Sequence, residues 1–345
     1  MPVIDLRSDT VTLPTPAMRE AVFRAELGDD VFQEDPTINR LEQMTAERVG
    51  KEAALLVTSG TMGNIVSVLT HCARGEEAIL GDSSHIFLNE AGGMSALGGI
   101  FPHTIPNRPD GTMAVEQIEA TIRADNIHFP KTRLICLENT HNRCYGASLT
   151  PEYTDAVAAL AKRHGLLLHL DGARIFNAAV ALGVDVRELT RGCDSLNVCL
   201  SKGLAAPVGS VICGSRNFIA RARRIRKMLG GGMRQAGIIA AAGIVALEEM
   251  VDRLTEDHAN ARRLAEGIAI IPGLATEPDR VKTNILYIDL VDRRFSDEEF
   301  MARLEKKGVR LSHPGAARFR MLTHYGIGRA EIDMALVALH EAMQG

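Results

Sequence analysis

No run of apolar residues in this chain approaches the roughly 18 that a membrane-spanning helix needs, so no transmembrane segment is expected. There is no Cys-x-x-Cys pair. The six cysteines, at 72, 136, 144, 193, 199 and 213, are scattered and read as reduced thiols, mostly small core residues. Internal repeats, low-complexity tracts and an evident flexible linker are lacking. The first residues, Met1-Pro2-Val3-Ile4-Asp5, have neither the basic start nor the apolar stretch of a secretion signal, so a cytoplasmic protein is expected. The net charge is −4, and the basic stretch 216–227 is not regularly interleaved with aromatics, which argues against a nucleic-acid or membrane partner.

What is there suits a globular enzyme. With 345 residues, 46% hydrophobic and 24% charged, the chain can bury a large core and predicts two domains. Residues 1–13 read as an extended arm. Apolar strands are predicted at 53–58, 78–80, 134–137, 166–170 and 196–200, alternating with helices that open at Pro36, after Gly60 and at Tyr153. Strands apolar on both faces indicate a parallel sheet covered by helices. Polar, glycine-containing segments follow their C-termini, where open α/β sheets bind ligands. A long helix is expected from about Gly243, past Val251 and Leu264, to Pro272-Gly273. It bridges to a smaller α+β unit with strand 284–290, helix 297–307, strands 309–312 and 319–324, and helix 329–343, Ser296 and Glu299 forming a capping box. The expected division is a large domain 1–245, with N-terminal arm 1–14, and a small domain 246–345.

Two short runs carry the first chemical signal. Asp171 follows the strand 166–170 in Leu170-Asp171-Gly172-Ala173-Arg174, and Lys202 follows the strand 196–200 in Leu200-Ser201-Lys202-Gly203. They lie about one strand–helix–strand repeat apart, so an acid and an amine can reach the same sheet edge. Pyridoxal phosphate enzymes need this pair: a lysine for the Schiff base, and a carboxylate that keeps the pyridine nitrogen protonated. An exposed lysine and a helix-capping aspartate explain either run alone; the two together, each followed by glycine, favour the cofactor.

Ser59-Gly60-Thr61 sits between a strand and a helix, where free amide N–H groups and the helix dipole suit a phosphate, and Ser201 can add a hydroxyl. His85, beyond the polar run 81–84, can stack on the cofactor ring, act as a base near substrate, or be a buried structural histidine. Asp82-x-x-His85 and His169-x-Asp171 offer metal-type ligands, but no third and fourth ligand follow at suitable spacing, so no metal is expected. Most charges of 216–227 read as a solvated helix face. Gly230-Gly231-Gly232 does not suit a helix interior and delivers Arg234 to a specific place. Arg320, between Phe319 and Met321-Leu322 in an apparent strand, is a buried charge unless it meets an anion, and a substrate carboxylate would suit its fork.

In order along the chain, Asp5-Leu6-Arg7-Ser8-Asp9-Thr10, Gly28-Asp29-Asp30-Val31, Ser59-Gly60-Thr61, His85, Glu138-Asn139-Thr140-His141-Asn142, Asp171 to Asn177, Ser201-Lys202-Gly203 and Gly230 to Gln235 resemble the low-specificity L-threonine aldolases. These are pyridoxal phosphate enzymes of the aspartate aminotransferase (fold-type I) superfamily, and the resemblance covers nearly the whole chain. It implies an α/β fold, with a mostly parallel seven-stranded sheet between helices in the large domain and a smaller C-terminal α+β domain. It implies cleavage of L-threonine, L-allo-threonine and related β-hydroxy-α-amino acids to glycine and an aldehyde. By matching position, Lys202 carries the pyridoxal phosphate, Asp171 meets the pyridine nitrogen and His85 stacks over the ring. Ser59, Gly60, Thr61 and Ser201 hold the phosphate. Ser8, Arg174 and Arg320 grip the substrate carboxylate, Arg174 also reaching the cofactor, and His128 lies near the β-hydroxyl. Lys227 and Arg234 come from a neighbouring subunit of a homotetramer, a dimer of dimers with the active site shared across the dimer. His85 is favoured as the base, with His128 orienting the hydroxyl. Another reaction on the same scaffold (β-elimination or transamination) and a non-catalytic homologue are the rivals. Two departures stand out: Phe32 replaces a Tyr, and Arg143-Cys144-Tyr145-Gly146-Ala147-Ser148 replaces a shorter Gly-Lys-Val-type stretch.

Overall fold

The computed structural model describes residues 3–292 and 294–344; residues 1 and 2, at the start of the expected arm, and residues 293 and 345 lie outside the described set. After β1 (Ile4–Asp5), the strands β2 (Ala53–Val57), β3 (Glu77–Gly81), β4 (Phe101–Ile105), β5 (Thr132–Glu138), β6 (Leu167–Asp171), β7 (Ser195–Cys199) and β8 (Ser210–Gly214) build the main sheet. Its order is β2-β8-β7-β6-β5-β3-β4. β3 to β7 are parallel, and β8 runs against both of its neighbours, β7 and β2. The helices among them are α1 (Pro16–Arg24), α2 (Pro36–Arg48), α3 (Gly60–His71), α4 (His85–Leu88), α5 (Gly93–Gly98), α6 (Val115–Thr121), α7 (Pro151–Arg163), α8 (Ile175–Leu182), α9 (Val186–Thr190), α10 (Arg216–Met228) and α11 (Gly237–Glu249). No described helix is long and apolar enough to cross a membrane.

Local chemistry sets the helix starts. Asp35 caps α2 and Thr150 caps α7, each followed by proline in the first turn, where its missing N–H costs nothing. The strands are buried on both faces, as their apolar runs require. Leu168, Leu170, Leu196 and Val198 join one large core with residues of α2, α7, α8 and α11. The alternate positions of β6 and β7 are different: His169, Asp171, Ser195 and Asn197 are polar, buried, and turned toward α3.

A second core lies in the C-terminal part, built by α12 (Leu254–Ile268), β9 (Leu274–Ala275), β10 (Ile285–Leu290), α13 (Asp297–Lys306), β11 (Val309–Arg310), β12 (Ser312–Gly315), β13 (Arg318–Leu322) and α14 (Arg329–Met343). Four of these strands form an antiparallel sheet, β12-β13-β10-β9. The N-terminal arm crosses to it: β1 pairs with β11, and Ile4 and Leu6 pack into the second core.

The single long helix expected from Gly243 is instead two. α11 ends at Glu249, and α12 restarts at Leu254 after a turn. Continuous apolar spacing concealed the break, because α11 buries its residues in the first core and α12 directs its apolar face into the second. Tertiary packing overrides a periodicity that both segments share. Strand 309–312 is likewise divided, and a register shift separates Ser312 from Gly315.

Phe300 and Phe319 are fully buried in the second core with ring centroids 5.1 Å apart. Replacing Phe300 with Ala should lower the unfolding free energy by about 3–5 kcal/mol. Urea unfolding monitored by circular dichroism checks this.

Candidate active site

The C-terminal ends of the parallel strands share one sheet edge, and most of the chemically marked residues gather there. Asp171 closes β6 and is buried. Its Oδ1 accepts the Ala173 amide at 3.1 Å and its Oδ2 accepts Asn64 Nδ2 at 2.9 Å. His85 opens the short helix after β3. Its backbone N–H donates to Glu138 Oε2 at 2.6 Å, and its Nδ1 lies 2.8 Å from Glu90 Oε1. Asn64 Nδ2 reaches the same Glu90 oxygen at 2.7 Å. Ligand-type atoms of His85, Glu90 and Asp171 lie within 4.8 Å of one another, so these acids and the imidazole form one cluster. Burial disfavours a charged His85, but the Glu90 contact and the nearby Asp171 outweigh it and raise its pKa. Burial and the charge of Asp171 raise that of Glu90.

Lys202 stands half-buried in the turn after β7, close enough for its charge to act on both His85 and Asp9. Asp9 is the residue that sequence reasoning passed over, although it lies inside the quoted Asp5–Thr10 run. It is fully buried and takes the Arg174 guanidinium in a two-pronged pair, at 2.6 and 2.7 Å. Burial opposes its ionisation, yet Arg174, Lys202 and Asn284 overcome that and hold its carboxyl at about 2. Ser8, beside it, caps a short turn by accepting from the Thr10 amide at 3.2 Å.

Arg320 on β13 faces Tyr287 on β10. Its Nη1 donates to Asn142 Oδ1 at 3.0 Å, and its buried Nε has no partner. Burial without a carboxylate partner lowers its pKa. It opens on a cavity of about 590 Å³ lined also by His85, Asn142, Arg143 and Tyr287. That is an orphaned cation beside the imidazole, suited to a carboxylate guest.

Ser59 caps α3 by accepting the Met62 amide at 3.1 Å, leaving the Gly60 and Thr61 amides at the helix tip. A Cβ on Gly60 would lie 2.7 Å from Cys199 Sγ, so this tip is seated against the end of β7, the strand that leads into Ser201 and Lys202. The arrangement fits pyridoxal phosphate: an anion-binding helix start, an amine, and a buried carboxylate with Glu90 and His85 beside it.

Three expected residues fall elsewhere. His128 is exposed in the loop that leads into β5, at the opposite end of that seven-residue strand from Glu138, so within one chain it lies at the other sheet edge. Lys227, in the last turn of α10, and Arg234, after the glycine run, are both exposed; Arg234 meets Asp29 at 3.0 Å. Phe32 is exposed in a short turn, while Cys144 and Tyr145 of the 143–148 stretch are buried. Asn64, Glu90 and His169 were not singled out as parts of this cluster.

Comparison with known proteins gives the family and the fold. Residues 5–291 match the family model described as beta-eliminating lyase. The low-specificity L-threonine aldolase 1 of Arabidopsis thaliana is 50% identical, covering 99% of this chain and 96% of that protein. The low specificity L-threonine aldolase of Escherichia coli K12 is 46% identical over 98% of each. Among solved structures, a threonine aldolase from Leishmania major superposes with a TM-score of 0.83 at 19% identity, covering 98% of this chain and 99% of that one. An aspartate aminotransferase from Rhizobium meliloti superposes with a TM-score of 0.70, which places the fold in type I. The chain therefore belongs to the beta-eliminating lyase family and, within it, to the low-specificity L-threonine aldolases.

Proposed function

We propose that this chain is a pyridoxal phosphate-dependent aldehyde-lyase that cleaves L-threonine, L-allo-threonine and related β-hydroxy-α-amino acids to glycine and an aldehyde, acetaldehyde in the case of threonine. The observation that carries the reading is the meeting of Asp171, His85, Glu90 and the Lys202 charge at one sheet edge beside the unpaired Arg320. When bound, the cofactor supplies a protonated ring that takes up the electron pair of the breaking Cα–Cβ bond. Lys202 would hold its aldehyde carbon, Asp171 its ring N–H, and Ser59, Gly60, Thr61 and Ser201 its phosphate.

The chain's own residues do the rest. Arg320, with Ser8 and the Asp9-braced Arg174, fixes the substrate carboxylate, so that the bond to the hydroxyl-bearing carbon is turned out of the ring plane. Glu90 accepts from His85 Nδ1–H, which leaves Nε2 bare in the neutral imidazole. That nitrogen takes the hydroxyl proton as the aldehyde departs. The imidazole must be neutral to do so, and its raised pKa makes this the acid limb of the rate.

The second copy of the chain belongs to the same reading. Lys227, Arg234 and His128 are exposed here, and so are the apolar Leu13, Phe23, Phe32 and Met228, which supports a site completed across a dimer and two dimers in a tetramer. The six buried free cysteines accord with a cytoplasmic protein. The second core, which apart from Ile4 and Leu6 begins at Ala261, supports a separate C-terminal domain within the proposed division 1–245 and 246–345, with Ala246, Leu247, Met250, Val251 and Leu254 still packed in the first core.

Purified protein given L-threonine should release glycine and acetaldehyde; 2-oxobutyrate and ammonia would indicate elimination instead. Lys202→Ala should abolish both turnover and the cofactor's absorbance. Lowering the pH should cut kcat with a midpoint above the ordinary histidine value of about 6.5, and His85→Asn should cost about 10²–10⁴-fold and remove that limb. Mixing inactive Lys202→Ala with inactive Arg234→Ala subunits should restore activity, because one site of each hybrid dimer keeps both residues. Sites confined to single chains would stay dead in every mixture.

A further inference from the structure

The polar residues of β6 and β7 that face α3 form a line of hydrogen bonds leading to Asp171, and their directions can be derived. Asn64 Nδ2 lies 2.7 Å from Glu90 Oε1 and 2.9 Å from Asp171 Oδ2. An amide oxygen there would face two carboxyl groups, so the nitrogen must. Asn64 Oδ1 then accepts, from His169 Nε2 at 3.1 Å and from Asn197 Nδ2 at 3.2 Å. His169 therefore carries its proton on Nε2. It is fully buried, and that burial holds its pKa down to about 4, so the ring is neutral and Nδ1 is bare. Nδ1 accepts from Ser195 Oγ at 2.8 Å, and the same hydroxyl oxygen lies 2.7 Å from His71 Nε2, which must be its donor. His71 is neutral by the same argument, burial holding it at about 3. The line starts and ends on the sheet-facing side of α3, where His71 and Asn64 sit two turns apart.

We propose that Asn64 is a positioning residue for Asp171, and that the His71–Ser195–His169 line fixes its amide in the one orientation that donates to both Asp171 and Glu90. The inference rests on the reading in which Asp171 receives the cofactor's ring nitrogen. Each face of the amide is used: two protons given, two lone pairs filled. Asn64 thus stands between the acid behind the ring and the acid behind His85, and gives each a proton. It sets the plane of the Asp171 carboxylate, while no atom of Asn64 needs to touch substrate.

The test uses Asn64→Leu and Ser195→Ala as purified enzymes. Asn64→Leu should weaken pyridoxal phosphate binding to apoprotein by about tenfold or more. It should also lower kcat by about tenfold or more, while KM for L-threonine stays within about threefold. The pH at which the bound cofactor's absorbance changes should move as well, a readout that loss of packing alone would leave in place. Ser195→Ala should shift the same quantities in the same direction by smaller factors. Nitrogen NMR of histidine-labelled wild-type protein should show His71 and His169 as neutral Nε2–H tautomers at neutral pH. Wild-type affinity and absorbance midpoint in Asn64→Leu would overturn the proposal. If that variant does not fold, an Nδ1–H or charged His169 in the wild type, or an unshifted Ser195→Ala, would do so. Asp171→Asn separates the two readings: if it binds cofactor and turns over normally, the role of Asp171 is wrong; if it is inactive while Asn64→Leu is normal, only the present inference fails.

Discussion

Helix α3 lies so close to β7 that neither Gly60 nor Gly63 has room for a side chain, and the site follows from that contact. A Cβ on Gly63 would come within 2.3 Å of Asn197 Oδ1, and one on Gly60 within 2.7 Å of Cys199 Sγ. Glycine is costly within a helix, and here it is used where the helix backbone must approach the side chains of the sheet. The contact fixes the helix tip against the turn that carries Lys202. Through the next turn it sets Asn64 over the end of β6. The helix-tip amides and Asn64 are thereby set against the strand ends by one rigid pair of elements, with Asp171 closing the neighbouring β6 and Lys202 in the turn that follows β7.

The charges around this contact are arranged so that each has one kind of partner. Asp9 is wholly committed to Arg174 and Asn284, which leaves Arg174 buried, braced and unable to swing away. A buried pair of this geometry is costly to break on one side, since the remaining charge is then stranded. Arg320 is the opposite case: a mostly buried cation with amide and carbonyl neighbours but no acid. The difference sorts the two arginines. Arg174 is held by a buried acid, whereas Arg320 keeps its Nε without a partner beside the cavity it lines.

How much of this is legible in the sequence depends on whether a residue's role follows from chain order. Asp171 and Lys202 stand at strand ends, and a parallel sheet sends such ends to one edge, so their meeting could be read directly. Asn64, Glu90 and Ser195 could not be read so, because their partners come from elements distant in sequence and each looks like an ordinary polar residue. A signal was nonetheless available. His169 and Asp171, like Ser195 and Asn197, are polar at alternate positions of strands buried on both faces, and polar groups there require a polar partner opposite. His169 drew notice only as a possible metal ligand, and its partners prove to be a hydroxyl and an amide. His128 was less legible for a related reason: a motif match fixes a residue's place in sequence, but not the sheet edge or the subunit on which it lies. The break between α11 and α12 was hidden because both segments carry the same apolar spacing into different cores.

The N-terminal arm explains why two separate cores make one site. Its first strand is paired to β11 and its Leu6 is sealed in the second core, yet three residues later Asp9 is locked to Arg174 beside β6. Asn284 and Thr323 continue the link, Asn284 donating to Asp9 and to the Thr323 carbonyl at 3.1 Å each. Arg320 is carried on the same strand as the residues sealed by this arm. The spacing between its strand and β6 is therefore not left to a hinge between the cores; it is held by a short segment, buried at Leu6 and Asp9, that is hydrogen-bonded to both. An enzyme that must hold a carboxylate and turn one bond relative to a ring needs that distance fixed, because a misplacement of about 1 Å can cost a hundredfold in rate.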